Sequence, residues 1–260
     1  MSAPTPAIVR LAPEWDTSAV REWCTSLEAL FRTIRPEAEI YRGRNVIFRS
    51  TVEGQEIAVK RFPLVSAGKR LLYRLRSTKA VRAFDHGVRL VGLGVGTPRP
   101  LAAVESRHRG WPLASYYCSG YVSAFREARA LRSPDTPDRP LLLGLLGEFV
   151  GRLHELGVLH RDLTSGNILL VPDPARAEGF EFQVVDINRM RFGRVSVPDG
   201  IANLAQLRLN DHGEVLDGYC RVRRLDPTRL RRLYGVRLAM RSFKQATKEA
   251  TRPLRRRLGF

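Results

Sequence analysis

The chain has 260 residues, 43% of them apolar, which is typical of a folded globular protein and excludes disorder of the whole chain. It carries 44 Lys and Arg against 26 Asp and Glu, and its net charge of +18 favours a polyanionic partner such as nucleic acid, anionic lipid or a phosphorylated glycan. Three widely spaced cysteines without a CxxC spacing indicate neither a disulfide framework nor a zinc site, and they favour a reducing cytoplasm. No apolar run approaches the roughly 18 to 20 residues needed to span a bilayer, and no signal-peptide pattern precedes the first helix, so we expect neither export nor a membrane span.

The N-terminal half predicts a helix followed by strands. Residues 1–35 read as a leader and a short amphipathic helix, in which Trp23, Leu27 and Leu30 recur at helical spacing. The stretch "EIYRGRNVIFRSTVEGQEIAVKRFP" then alternates between apolar and polar residues, which predicts two or three strands of an antiparallel sheet with a turn at Gly43.

The pattern from Val65 to Leu93 is helical and very basic, and "GVGTPRP" ends it. Two more strands are predicted at "LAAVES" and "PLASYYCSGYV", and a proline-rich loop follows at Leu131–Pro140. A buried helix is expected over Leu141–Leu156, and the rest is mainly helical apart from a strand that ends at Asp186.

Because strands come early and helices late, the chain is predicted to form a small β-rich lobe joined to a larger α-rich one. The expected divisions are 1–35 for the leader and helix, 36–121 for the N-lobe with its nucleotide-binding strands, and 122–260 for the C-lobe with the catalytic loop and the basic C-terminal helices.

The segment "GVLHRDLTSGNILL" places polar residues on a loop between two apolar runs. Asp162 and Asn167 lie five residues apart, and nineteen residues further on the apolar run "FQVVD" closes with Asp186. Mg²⁺, which accompanies ATP, prefers oxygen ligands and is usually held by one or two protein groups together with phosphate oxygens. Asn167 and Asp186 can supply those ligands, and Asp162 is then available to accept the proton of an acceptor hydroxyl.

A kinase also needs a cation for the phosphates, and "IAVKRF" offers Lys60 on a predicted strand about a hundred residues upstream. Each motif alone has little specificity, but their occurrence together and in this order predicts an ATP-dependent kinase. His160, in the same loop, is expected to brace the backbone rather than to take part in catalysis.

Six segments that span most of residues 40–195 allow a closer comparison: "YRGRNVIF", "IAVKRF", "STKAVRAFDHGVRLVGLGVGTPRPLAAVE", "SYYCSGYV", "LHRDLTSGNILL" and "VVDINRMRFG". With these segments the chain resembles the protein-kinase-like superfamily and, within it, the bacterial lipopolysaccharide core kinase family, which phosphorylates Kdo or heptose sugars of the inner core. "GTPRP" and "DINRMRF" point to the narrower family. The resemblance implies an α+β, bilobal protein-kinase-like fold with a small antiparallel-β N-lobe and a larger, mainly α C-lobe.

Carried over by residue, the resemblance implies that Lys60 contacts the phosphates of ATP, that Asp162 is the base and that Asn167 and Asp186 bind Mg²⁺. Adenine is expected near Tyr117–Tyr121. The residues of that segment expected to bind the nucleotide are Ser119 and Tyr121.

Three features differ from the protein-kinase pattern. The nucleotide loop has only Gly43, so Arg44 and Asn45 are expected to help cover the phosphates. The usual Asp-Phe-Gly is Asp186-Ile187-Asn188, which leaves metal binding intact. The helix that should supply a glutamate partner for Lys60 contains only Asp85, so Asp85 is the expected partner, with a solvent-facing carboxylate as the alternative.

An anionic glycolipid acceptor, as in the resembling family, would explain the positive charge. Residues 221–260 contain fourteen basic and two acidic residues. The helix over Lys69–Arg82 mixes cations with leucines, and the segment "YGVRLAMRSFKQATKEATRPLRRRLGF" at 234–260 does likewise. Either segment could lie on the cytoplasmic face of the inner membrane, or could pack on its own lobe with a solvated basic face.

Two other functions stay open on the sequence. One is a kinase for a soluble small molecule or a protein, and the other is a catalytically silent, kinase-like binding protein. Nucleic acid is the less favoured partner because few aromatic residues interleave the basic tail.

Overall fold

The computed structural model describes residues 5–64, 66, 68, 71–73, 76–108, 111–209 and 212–257, with side chains described from residue 7 to residue 243. The chain forms two compact units. The first consists of Met1–Arg126 and Leu169–Met190, and the second of Glu127–Ile168 and Arg191–Phe260.

The first unit is built on a six-stranded antiparallel sheet with the strand order β1-β5-β6-β4-β3-β2. Its strands are β1 (Thr5–Leu11), β2 (Glu39–Arg42), β3 (Val46–Val52), β4 (Gln55–Pro63), β5 (Pro100–His108) and β6 (Trp111–Gly120). Hairpins join β2 to β3, β3 to β4 and β5 to β6, as the alternating segments predict.

Helix α1 (Ser18–Arg32) covers one face of this sheet. Thr17 caps its N-terminus by accepting a hydrogen bond from the Val20 backbone N–H. Its buried side chains are Val20, Trp23, Cys24 and Leu27, and they share a core with Ile57 and Val59 of β4. The N-terminal segment is therefore an integral part of the first unit.

The two faces of strand β4 pack against different helices, α1 on one side and the next helix along the chain on the other. Ile57 and Val59 point into the α1 core, so the alternation of side chains along a strand directs Ala58 and Lys60 to the opposite face. Helix α2 (Lys79–Gly92) packs against β4, β5 and β6, with Phe84 and Leu90 among its buried side chains.

A second sheet contains β9 (Ile168–Pro172) between β10 (Phe180–Val184) and the short β7 (Arg126–Glu127). The loop after α2 holds β10 by two hydrogen bonds. The Val184 backbone N–H donates to the Gly96 carbonyl at 2.9 Å, and the Thr97 hydroxyl donates to the Val184 carbonyl at 2.8 Å. These bonds define where the chain leaves β10, two residues before Asp186.

The second unit is mainly helical, with α3 (Arg139–Glu155), α4 (Val197–Leu204), α5 (Gly213–Arg223) and α6 (Pro227–Arg257). The helix expected over 141–156 is α3. Between α3 and α4 lies β8 (Val158–His160), which pairs with β11 (Met190–Phe192).

Part of the predicted basic helix at 65–93 lies outside the described residues, namely residues 65, 67, 69, 70, 74 and 75. The same holds for the last three residues of the basic tail and for the side chains from residue 244 onward. Within the part of the chain that the structure describes, no helix combines the length and the apolar character needed to cross a bilayer.

Candidate active site

Lys60 and Asp186 form an ion pair in the first unit. The Lys60 Nζ lies 2.6 Å from the Asp186 Oδ1, although the two residues are 126 positions apart in the chain. Their side chains are 17% and 32% exposed, so the pair is partly shielded from solvent. The structure therefore brings together the predicted phosphate cation and one predicted metal ligand.

The backbone at Asp186 has a left-handed conformation, with φ 56° and ψ 43°. This conformation costs about 1 kcal/mol or more in a residue other than glycine and is concentrated at functional sites. The side-chain amide of Asn188 donates to the Asp186 Oδ1 at 2.6 Å, and the one-turn helix Ile187–Arg189 follows directly. The missing glycine of the usual motif is thus replaced by an asparagine that bonds to the aspartate.

Helix α2 contacts this segment through His86. The His86 Nδ1 donates to the Ile187 carbonyl at 2.7 Å, and burial lowers the pKa of His86. His86 is not among the residues predicted from the sequence, because a lone histidine in a helix carries no recognisable motif.

Asp85 does not pair with Lys60 in this structure. Its Oδ1 accepts from the Arg10 Nε at 3.0 Å, and the Asp85 side chain is 45% exposed. Successive helical residues point about 100° apart, so His86 faces the Ile187 carbonyl while Asp85 faces β1. The expected Lys60–Asp85 pair is therefore corrected to Lys60–Asp186, and the alternative of a solvent-facing carboxylate describes Asp85 better.

The predicted nucleotide loop, Gly43 to Asn45, is the turn between β2 and β3, closed by the Gly43 N–H bonding to the Asn45 carbonyl at 3.0 Å. Gly43 and Arg44 are exposed and Asn45 is half-buried. The loop ends at Val46, and its neighbour Ile47 is directly opposite Lys60 in the antiparallel register.

The two predicted adenine contacts lie at the end of β6. Ser119 is buried and opposite Ala58 in the register, so it shares the Lys60 face of the sheet. Tyr121 follows the strand and stacks under the Arg49 guanidinium at 5.6 Å.

Tyr121 also lines a pocket of about 420 Å³, together with the loop at 94–99 and Glu181 and Gln183 of β10. Neither Lys60 nor Asp186 is among the described residues that line it, so this pocket is separate from the ion pair.

Asp162 and Asn167 lie together on the loop between β8 and β9. The Asn167 Nδ2 donates to the Asp162 backbone carbonyl at 2.9 Å. A carbonyl oxygen can only accept, so the Asn167 Nδ2 must point toward the Asp162 carbonyl. The Asn167 Oδ1 is therefore the side-chain atom available to bind a cation. The residue thus fits the predicted role of a magnesium ligand, which requires an oxygen donor.

His160 has a structural position. It is 1% exposed, and its Nδ1 accepts from the Asp162 backbone N–H at 3.2 Å. The loop is also held from α4 and the turn after it. Asn203 Nδ2 donates to the His160 carbonyl at 2.7 Å, and Leu163 N–H donates to Gln206 Oε1 at 2.8 Å.

Asn203 and Gln206 cannot be recognised from the sequence, because they lie about forty residues downstream of the loop on an ordinary helical pattern. Among the described residues, no three His, Cys, Asp or Glu side chains cluster so as to hold a metal ion.

Two solved structures align with the chain, and the first of them supports the fold. A structure described as WaaP in complex with acyl carrier protein aligns with a TM-score of 0.59 and 20% identity, covering 93% of this chain and 98% of that chain. A second, the Rio2 kinase with ADP/Mg²⁺ and phosphoaspartate from Chaetomium thermophilum, aligns with a TM-score of 0.46 and 16% identity, covering 77% and 58%. No curated protein sequence matches the chain. The fold is protein-kinase-like, which confirms the expected fold class.

Residues 66–212 match the lipopolysaccharide kinase (Kdo/WaaP) family, a range that covers more than half of the chain. The chain belongs to this family, and it is a lipopolysaccharide kinase, a phosphotransferase whose acceptor is a hydroxyl group. The resemblance in the motifs is confirmed.

Proposed function

We propose that the chain transfers the γ-phosphoryl group of ATP, with Mg²⁺, to a hydroxyl of a Kdo or heptose sugar in the lipopolysaccharide inner core. The observation that carries the proposal is the 2.6 Å pair between Lys60 and Asp186, since it joins two residues of the expected phosphate and metal chemistry from distant motifs. The family membership supports the glycolipid acceptor.

In the proposed reaction Asp162 accepts the proton of the acceptor hydroxyl while that oxygen forms a bond to the γ-phosphorus. The bond from the γ-phosphorus to the oxygen bridging to the β-phosphate breaks, and ADP leaves. Lys60 contacts the phosphates, with Gly43, Arg44 and Asn45 covering them and Ser119 and Tyr121 near the adenine. Mg²⁺, held by Asn167 and Asp186, would neutralise charge on the phosphates.

The test is transfer of labelled γ-phosphate into three acceptor pools: a lipid extract of a Gram-negative envelope, soluble Kdo and heptose, and total protein. Asp162→Asn keeps the shape of the side chain but removes the base, so we expect a loss of turnover of about 10²-fold or more with nucleotide affinity nearly unchanged. Chelation of Mg²⁺ should stop transfer, and added Mg²⁺ should restore it.

Label in the lipid fraction that depends on Asp162 supports the proposal. Label confined to the soluble pool or to protein would favour a kinase for a small molecule or a protein. Absence of label from every pool, in a protein that still binds ATP, would favour a silent binding protein.

We further propose that the chain contacts the cytoplasmic face of the inner membrane through α6. One side of α6 packs on the second unit through Leu230 and Tyr234, which are 2% and 4% exposed. On another side lies a row of apolar side chains that are 43% to 75% exposed, at positions spaced by three or four residues: Leu233, Val236, Met240 and Phe243.

By helical geometry this row is centred about 120° from the packing side. Arg232 and Arg237 are exposed and flank the row by the same geometry. An apolar row bordered by cations is typical of helices that lie in an anionic bilayer interface, where each cation contributes about 1 kcal/mol.

Met240→Glu and Ser242→Glu test this contact, because they add the same charge to α6 about 200° apart. Met240→Glu should weaken binding to vesicles of phosphatidylglycerol and phosphatidylcholine at least about tenfold more than Ser242→Glu does. Only the Met240 variant removes apolar area that would be buried in the bilayer interface. Equal weakening by both variants would contradict insertion of the apolar row.

A further inference from the structure

A line of buried side chains connects α5 to the catalytic loop in the second unit. The Tyr219 hydroxyl lies 2.8 Å from the His154 Nδ1, the His154 Nε2 lies 3.0 Å from the Asn203 Oδ1, and the Asn203 Nδ2 donates to the His160 carbonyl at 2.7 Å. The first three side chains are 0%, 2% and 2% exposed. The line of buried side chains is therefore shielded from solvent, and it ends at the His160 carbonyl, two residues before Asp162.

With a neutral imidazole at His154, only one arrangement of protons satisfies every member of this line. The His160 carbonyl can only accept, so the Asn203 amide must present its Nδ2 there and its Oδ1 to His154. The His154 Nε2 must then carry the hydrogen, which makes the neutral Nδ1 an acceptor for the Tyr219 hydroxyl. A flipped amide would place two oxygens against each other at 2.7 Å.

The far end of the line bears directly on the position of Asp162. The backbone N–H of Asp162 is held by the His160 ring, and its carbonyl is held by the Asn167 amide. Leu163, the next residue, is held by Gln206. A shift of the His160 carbonyl would therefore be passed to Asp162 through rigid neighbours, whereas no bond of the line involves Lys60.

We propose that His154 is a positioning residue, held as the neutral Nε2–H tautomer between Tyr219 and Asn203, which sets the placement of Asp162 for phosphoryl transfer. The inference rests on the role proposed above for Asp162. A displaced base lowers the rate of the chemical step without weakening nucleotide binding, because misplacement of a catalytic group acts on turnover.

The test is a graded series read as kcat, KM for ATP and Tm. Asn203→Asp replaces the donor to the His160 carbonyl by an oxygen, so we expect kcat to fall by about tenfold or more. His154→Gln acts one step away and Tyr219→Phe two steps away, with expected losses of about fivefold and about twofold. KM for ATP should change by less than about twofold throughout.

Cys220→Ala is the matched control. Cys220 is buried beside Tyr219 on α5 but has no place in the line, so the variant should lower Tm and leave kcat unchanged. A purely structural role for His154 would give Tm losses in the series with normal kcat in the folded protein, and that result would overturn the inference.

A second readout does not depend on activity. Correlation of the imidazole nitrogens with the ring protons by NMR should identify His154 as the Nε2–H tautomer, and Asn203→Asp should disturb it. An Nδ1–H tautomer in the wild-type protein would overturn the inference even if transfer is observed. Conversely, absence of transfer in the wild-type protein with the expected tautomer present would contradict the proposed function alone.

Discussion

At the scale of single residues, the charge of Lys60 is balanced by the Asp186 carboxylate, whose Oδ1 lies 2.6 Å from the Lys60 Nζ. The sequence offers Asp85 because it is the only acid in the helix that should face Lys60. The structure pairs Lys60 with Asp186 and Asp85 with Arg10. Which acid a helix presents to a sheet depends on its rotation, and one position changes that direction by about 100°.

The Asp85–Arg10 pair allows a direct test of this correction. Asp85→Asn removes an exposed ion pair, which contributes about 0 to 1 kcal/mol, so turnover should stay within about twofold of the wild type. Lys60→Met, in contrast, should reduce turnover by about 10²-fold or more because it removes the cation proposed to contact the phosphates. A loss for Asp85→Asn comparable to that for Lys60→Met would restore Asp85 as the functional partner.

His154 should make the stability of the protein depend on pH. The pKa of His154 is lowered from 6.5 to about 4, chiefly by burial; the bond to Asn203 opposes this shift, Arg223 adds to it, and the Asp199 carboxylate opposes it. Between these two pH values the unfolded chain binds a proton that the folded protein does not, so the stability present above about pH 6.5 is lost as the pH falls toward 4. The loss attributable to this group is about 3 kcal/mol.

The measurement is urea unfolding of the wild type and of His154→Gln between pH 7.5 and pH 4.5. The free energy of unfolding of the variant should be less at pH 7.5 and should fall less steeply with acidification. Parallel pH profiles for the two proteins would contradict a buried, neutral His154.

At the scale of elements, the crossing of α3 and α5 depends on glycine. A Cβ at Gly147 would lie 2.0 Å from the Val215 carbonyl oxygen, and one at Gly218 would lie 2.0 Å from the Gly144 carbonyl oxygen. These short distances show that the backbones of α3 and α5 are in direct contact, with no room for a side chain at either glycine. In this close crossing His154 of α3 and Tyr219 of α5 lie at hydrogen-bonding distance. The sequence indicates that α3 is buried, but it does not indicate which face meets which helix.

Two glycines of α3 make a matched pair for testing the crossing. Gly147→Ala should lower the free energy of unfolding by about 1 to 3 kcal/mol or more, because the added methyl group forces α3 and α5 apart. A Cβ at Gly144 would meet no heavy atom within 4 Å, so Gly144→Ala should be neutral or stabilising by up to about 1 kcal/mol through helix propensity. Thermal and urea unfolding would measure both, and similar losses in the two variants would contradict the assigned crossing.

At the scale of the whole molecule, the N-terminal segment is part of the fold of the first unit. The sequence identifies the amphipathic helix, and the structure places its apolar side against the sheet. Leu27 is 0% exposed, so Leu27→Ala should cost about 2 to 5 kcal/mol of unfolding free energy. Glu22→Ala, on the exposed side of the same helix, should cost less than about 0.5 kcal/mol.

Unfolding of the two variants in urea gives this comparison. A small effect of Leu27→Ala would mean that α1 is an appendage rather than a layer of the first unit. A deletion of residues 1–35 should accordingly abolish the cooperative unfolding of the first unit.

The sequence by itself determined the candidate residues that lie in short motifs: Lys60 at the end of an alternating strand, Asp162 and Asn167 on one loop, and Asp186 at the end of an apolar run. Local backbone preferences and spacing specify such groups, so they can be predicted without a fold. Only the tertiary structure decided which groups touch across long separations, as Lys60 does with Asp186, His86 with Ile187, and Asn203 with His160. The physical reason is that these contacts follow from the rotation of helices and the register of strands, which the packing of the whole chain sets and no local pattern encodes.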